Sequence, residues 1–195
     1  SMKRFIVILL ILIPVFTIAQ DQDFSKISTD HIEFRNKGMY VLGGWAVTNI
    51  LGSGYMMSQT NGWHFRFHQM NVFWNVVNLG IAAGGVGFTQ SQDDITGLEA
   101  YQQYADFGKI LLFNAGLDLA YMATGLFMQE RAKNVSKRKD MLKGYGKSII
   151  LQGGFLFLFD AVLYGLNQSK MQEIFNAENI ELSLTGNMMN FSLYF

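Results

Sequence analysis

The sequence of 195 residues contains no cysteine, a single proline and only three histidines. Without cysteine there is no disulfide framework, no thiolate metal site and no cysteine nucleophile. Charged residues make up only 15% of the chain, and Lys+Arg and Asp+Glu are equal at 15 each. No basic excess is left to neutralise phosphates, so we expect no nucleic-acid partner. No catalytic or nucleotide-binding motif is present either, and we expect no cofactor.

The N-terminus has the pattern of a secretory signal. Lys3 and Arg4 precede an apolar run over residues 5–18, and Ala19 supplies a small residue at the cleavage position before Gln20. The run is shorter than the roughly 20 residues that a spanning helix needs. The sequence therefore predicts a signal peptide over residues 1–19, which would be a fifth helix if it were kept.

Four further segments are long and apolar enough to cross a bilayer. They cover residues 38–58, 66–88, 105–128 and 147–166, each about 20 residues with few charges. We therefore predict an all-α membrane protein, an antiparallel four-transmembrane-helix bundle over residues 20–166.

The charges between these segments predict the orientation. The segment 129–146 is basic, whereas 89–104 contains acidic residues and neither lysine nor arginine. Basic loops stay in the cytoplasm, so we predict a multi-pass protein of the bacterial inner membrane with both ends of the mature chain in the periplasm. The basic loop is also suited to contact anionic lipid.

The composition changes after residue 166. Residues 180–184 alternate in polarity, 185–187 carry a turn signal, and 191–195 form a second alternating run. This pattern predicts a small β-hairpin in an extracytoplasmic tail over residues 167–195. Because an isolated hairpin is only marginally stable, the tail would rest on the bundle, on an envelope protein or on a second copy.

Two stretches of the predicted bundle suggest a relationship. The resemblance rests on two segments and on the Ala19-Gln20 signal ending. The segments are Gly-Gly-Trp-Ala-Val-Thr-Asn over residues 43–49 and Phe-His-Gln-Met-Asn-Val-Phe-Trp-Asn over residues 67–75. The chain resembles small uncharacterised four-span membrane proteins of Bacteroidota-type bacteria, a family of unknown function. The resemblance implies a fold and a compartment and carries no activity.

Polar residues in the predicted spans recur at helical spacing. His64, His68, Asn71, Asn75 and Asn78 share one face of the second span, because they are three or four residues apart. Matching depths on the other spans extend this stripe into a layer across the middle of the bundle. The predicted polar network comprises Asn49, Asn71, Asn75, Asn78, Asn114, Asp118 and Gln152.

Three finer predictions concern charged and metal-ligating side chains. His64 and His68 are weak metal candidates, because two imidazoles alone make a poor site. Lys109 and Asp160 lie at similar depth, which predicts an ion pair. By the same count Asp118 and Asp160 are roughly 10 Å apart in depth, too far for a pair of carboxyl groups that shares a proton.

Two classes of function remain open. The first is a non-catalytic integral membrane protein that serves as a structural or interaction subunit of the envelope. The second is a small transporter, channel or binding protein that uses the Asn/Asp layer as a site for an ion or a polar ligand. The packing around Asp118 distinguishes them, because a fully hydrogen-bonded centre favours the first class and an accessible one favours the second.

Overall fold

Four long α-helices make up the fold of the chain. The computed structural model describes residues 24–87 and 96–193. The helices are α1 (Phe24–Gln59), α2 (Gly62–Gly87), α3 (Gly97–Lys133) and α4 (Lys139–Leu193). Within these described residues there is no strand. The helical bundle predicted from the sequence is thus found, and each helix is longer than the span predicted within it.

Short connections at one end of the bundle join α1 to α2 and α3 to α4. Gly62 begins α2 at a φ of 58°, a left-handed conformation that glycine adopts without strain, and Arg138 has a φ of 70° before α4. The opposite end holds the start of α3, where Thr96 and Glu99 form a capping box. We call the end with the two connections the basic end. The opposite end is called the cavity end, after a cavity described in the next subsection.

Glycines allow the helices to approach closely. A Cβ atom at Gly125 of α3 would lie 2.6 Å from the carbonyl oxygen of Gly146 on α4. On the other helix pair, a Cβ atom at Gly85 would lie 2.6 Å from Met39 Sδ. Helix α2 packs on α4 towards the basic end, where the Tyr145 hydroxyl donates to Gln69 Oε1 at 2.9 Å.

The bundle buries polar side chains beside a small apolar core and exposes many large apolar side chains. Its most buried side chains include Asn75, Gln152 and Asn167, whereas large apolar side chains are exposed along all four helices. Leu98–Lys133 and Lys139–Glu173 are long and apolar enough to cross a membrane. Only 17% and 28% of their most apolar windows are buried, although a core helix of a soluble protein would be mostly buried.

The C-terminal hairpin predicted for residues 180–195 is not found in residues 180–193, the part of that segment that the structure describes. Helix α4 continues without a break from Lys139 to Leu193, and so passes through the segment that alternates in polarity. A helix that is already formed adds each further residue at little cost, whereas a lone hairpin has no neighbouring strand to support it. The predicted signal peptide, residues 1–19, lies outside the described residues.

Candidate functional site

A network of side-chain hydrogen bonds links α1, α2 and α4 in the middle of the bundle. Asn71 Nδ2 donates to Asn49 Oδ1 and to Ser53 Oγ, both at 2.7 Å. Gln152 Nε2 donates to Asn71 Oδ1. The Trp45 indole in turn donates to Gln152 Oε1 at 2.9 Å. Gln152 is fully buried, so this part of the predicted polar layer is a packed and hydrogen-bonded contact between helices.

The asparagine row on α2 continues the network towards the cavity end. Asn75 Nδ2 donates to the carbonyl oxygen of Asn71 at 2.8 Å, and Asn78 Nδ2 lies 3.5 Å from Asn75 Oδ1. All three side chains are buried, as the helical spacing predicts. Asn78 also lines the cavity described below.

The two histidines of α2 lie in separate surroundings. The His64 ring packs against Trp63 with the ring centres 3.6 Å apart and the planes tilted by 31°, and His68 Nδ1 lies 3.2 Å from Ser53 Oγ. In the described part of the chain no three histidine or acidic side chains form a group that could hold a metal ion. His68 thus belongs to the polar network, and His64 to the aromatic surface of the basic end.

Two aspartates meet between α3 and α4. The carboxyl groups of Asp118 and Asp160 share a side-chain hydrogen bond, and both residues are buried. A hydrogen bond between two carboxyl groups requires a proton on one of them, because a carboxylate only accepts. The depth count that placed these acids roughly 10 Å apart is therefore wrong, because it took the span ends at residues 105 and 166 as equally deep, whereas Gly108 lies against Asn167 and both helices continue beyond those ends.

The ion pair predicted between Lys109 and Asp160 is not formed. Lys109 Nζ lies 2.8 Å from Asp106 Oδ1 on the same helix, and both side chains are mostly exposed. Pairing with a residue one helical turn away loses less conformational entropy than pairing with a residue on another helix. It also leaves the lysine ammonium group in a polar environment. Asp160 is thereby left with Asp118 as its partner.

A cavity of about 960 Å³ opens beside this pair of carboxyl groups. Asp118 and Asp160 line it together with Asn78 and Asn114, and Trp74 and Tyr121 form part of its wall, with their ring centres 4.8 Å apart. Asp118 Oδ2 is buried and has no hydrogen-bond partner among the described residues. An unpaired buried oxygen costs free energy, so a donor from a ligand would be favourable here.

Helices α1 and α3 line the part of the cavity nearest the cavity end. His31 and Arg35 of α1 line it, as do Gln103 and Asp106 of α3. The His31 ring is buried against Tyr104, with the ring centres 4.3 Å apart. Burial and the neighbouring Arg35 charge lower the pKa of His31 to about 4, although a hydrogen bond with Gln103 opposes the shift.

The side of the cavity is apolar and open. Helices α2 and α3 flank it and make almost no close backbone approach to each other. Phe73 and Val77 on α2 and Ile110 on α3 are each more than half exposed while lining the cavity. The cavity is therefore a cleft with apolar edges and two carboxyl groups at its base.

A second, polar pocket lies at the basic end. Arg66 of α2 and Arg138 and Lys139 near the start of α4 line it, together with Asp140. Nearby, the ammonium groups of Lys143 and Lys147 lie 4.6 and 4.1 Å from the centre of the Trp63 ring. The charges that predicted the orientation therefore also form a local cationic surface.

The asparagine row predicted from the sequence is buried and hydrogen-bonded, whereas three other features were not predicted. Trp45 was not assigned to the polar network, although an indole N–H that is buried requires an acceptor. The pairing of the two aspartates and the cavity beside them also went unpredicted. The available signal for the pairing was the presence of acidic residues in two neighbouring predicted spans, because an acid inside a bilayer pairs with another polar group or with a ligand.

The polar network and most of the cavity lie in a part of the chain that matches a protein family. No curated protein matches the chain, and no solved structure does. A family model described as a family of unknown function, DUF6992, matches residues 41–161, which contain the polar network, both aspartates and most of the cavity wall. The chain therefore belongs to the DUF6992 family of unknown function.

Proposed function

We propose that this protein is a multi-pass membrane protein that binds a small ligand in the cleft beside Asp118 and Asp160. The observation that carries the proposal is a cavity of about 960 Å³ with two carboxyl groups at its base and an unpaired Asp118 Oδ2. Ligand sites are mostly apolar cavities with a few convergent polar groups, and this volume is within their usual range of about 300–1,000 Å³.

All four helices cross the membrane in this proposal. The support is the distribution of polarity, because α1 and α2 also expose large apolar side chains such as Leu51 and Phe73 while burying asparagines. Apolar surface of this extent would be costly in water and is favourable in lipid. We place the basic end in the cytoplasm, where Arg66 and Arg138 would meet anionic lipid.

The test of the proposal is to fill the cleft without disturbing its surroundings. Val76 and Val77 are neighbours on α2 and are 56% and 51% exposed, but only Val77 lines the cavity. Native mass spectrometry of the full chain should find a small molecule bound to the wild type and to the Val76→Trp control. Val77→Trp should lose it. Equal retention by both variants would overturn the proposal.

A structural or interaction subunit is the second candidate. The hydrogen-bonded contact among Trp45, Asn71 and Gln152 favours it, because a network of this kind fixes helix packing without a ligand. The partner would be an envelope protein or a second copy that contacts the extension of α4 beyond residue 166. Cross-linking of that extension, unaffected by Val77→Trp, would support this candidate.

We propose a non-catalytic role in either case. The carboxyl pair acts in our proposal as an acceptor site for a ligand, which requires no bond to be broken. Hydrolysis of a membrane peptide by the wild type, lost in both Asp118→Asn and Asp160→Asn, would contradict this assignment.

A further inference from the structure

The cleft has a charge that an apolar ligand cannot balance. Asp106, Asp118 and Asp160 line it, and Arg35 is the one arginine or lysine of its described lining, which also contains the buried His31. Asp106 is already paired with Lys109, and Arg35 lies over the Phe107 ring, 5.5 Å from its centre. The two buried carboxyl groups at the base therefore have no cation of their own within the described lining.

The base of the cleft offers both an acceptor and aromatic faces. One proton suffices for the hydrogen bond between Asp118 and Asp160, and the other carboxyl oxygens of the pair can accept a hydrogen bond from a ligand. Trp74 and Tyr121 stand in the adjoining wall, and aromatic faces attract cations that come within about 6 Å of the ring centre. A group that donates hydrogen bonds and carries positive charge fits this arrangement.

The rest of the cleft excludes a simple ion as the whole occupant. Its volume is about 960 Å³, and the exposed side chains of Phe73, Val77 and Ile110 form its edges. An inorganic cation at the carboxyl groups would leave these apolar walls uncovered, whereas a hydrophobic body attached to the cation would cover them.

We propose that the ligand is a cationic amphiphile, a protonated amine on a hydrophobic body, with its ammonium group at the Asp118–Asp160 pair and its apolar part between α2 and α3. This inference rests on the proposed function and specifies its ligand class. Entry from the bilayer through the open side of the cleft follows from the apolar edges on α2 and α3.

The test uses three probes that share one alkyl chain. Dodecylammonium, dodecanol and dodecyl sulfate are titrated into the full chain in phosphatidylcholine nanodiscs. Trp74 fluorescence is read in a Trp45→Phe, Trp63→Phe background, because the chain contains three tryptophans and only Trp74 lines the cavity. The melting temperature of the unmodified chain with each probe is a second, independent measurement.

We expect dodecylammonium to bind about tenfold or more tightly than the other two probes. Asp118→Asn combined with Asp160→Asn should remove that preference, and Asp140→Asn, at the basic end, should retain it. Equal binding of all three probes, or an unchanged preference in the double variant, would overturn the cationic class but leave ligand binding standing. Stabilisation by sodium chloride alone that equals the stabilisation by dodecylammonium, and that is lost in the double variant, would show that the carboxyl pair binds a small ion instead. If neither Trp74 fluorescence nor the melting temperature changes with any probe, the proposed function is contradicted as well.

Discussion

The carboxyl groups of Asp118 and Asp160 depend on each other for their hydrogen bonding. Each is buried, and the side chain facing it is an acid rather than a base. An arrangement of this kind is stable only while at least one proton is held between the two groups. The pair is therefore sensitive to any change that removes a donor or an acceptor from one side.

We expect Asp118→Asn to be nearly neutral in stability, because an amide can donate to the Asp160 carboxylate as the acid does. Asp118→Leu should lower the free energy of unfolding by about 1–3 kcal/mol, because it leaves the buried Asp160 carboxyl group without a partner. Thermal unfolding in a mild detergent measures both effects. Equal melting temperatures for the two variants would contradict the pairing.

His31 should make stability depend on pH. It is buried against Tyr104, and its pKa in the folded chain is about 4, lowered from 6.5 mainly by burial and also by Arg35. Between pH 4 and 6.5, His31 therefore binds a proton in the unfolded chain but not in the folded chain. Stability from this residue is full above pH 6.5 and is lost as the pH falls towards 4, by about 1–3 kcal/mol.

The control for this effect is His31→Phe, which keeps a ring against Tyr104 and Phe107 and cannot be protonated. Other acidic groups also titrate between pH 4 and 6.5, so the measured quantity is the difference in melting temperature between wild type and variant across that range. A difference that does not change with pH would show that His31 titrates normally.

At the scale of helices, glycines decide which surfaces can meet. Gly125 on α3 faces Gly146 on α4, and Gly116 on the same α3 faces open space. Close approach of this kind brings the backbones together, so the packing of the two helices is sensitive to a single methyl group.

Gly125→Ala should therefore destabilise the bundle by about 1–3 kcal/mol, because the new Cβ would lie 2.6 Å from both Gly146 O and Ile150 Cγ1. Gly116→Ala adds the same methyl group on the same helix where nothing lies within 4 Å. We expect this matched control to be neutral or slightly stabilising. Equal melting temperatures for the two variants would show that α3 and α4 do not cross at Gly125.

At the scale of the whole molecule, the buried asparagines and the exposed apolar side chains predict that all four helices cross the membrane. The chain has no native cysteine, so single cysteines can be placed without background. Cysteines at Asn61 and Asn134 should react with an impermeant reagent only from the cytoplasmic side. A cysteine at Glu99 should react only from the opposite side.

Labelling of Asn61 and Asn134 from opposite sides would limit the spanning helices to α3 and α4. Those two are the helices whose length and apolar composition reach the requirement for a span. Labelling of both positions from the periplasm would keep four spans and reverse the orientation.

The sequence by itself determined the helical class, the asparagine face of α2 and the inward position of Gln152. Each follows from local information, since helical periodicity fixes which residues share a face and the cost of a polar group in lipid turns that face inward. The same reasoning predicted a hairpin where α4 continues to Leu193, because an alternating run of five residues is too short to distinguish a strand from a helix.

Only the tertiary structure decided which polar groups meet. The pairing of Asp118 with Asp160, and of Lys109 with Asp106 rather than Asp160, depends on the tilt and rotation of α3 and α4. The cleft between α2 and α3 is likewise a product of packing, since α2 contacts α4 near the basic end and α1 contacts α3 near the other. A gap of this kind arises where the backbones of two helices stay apart, and no single helix encodes it, because it depends on the relative positions of all four.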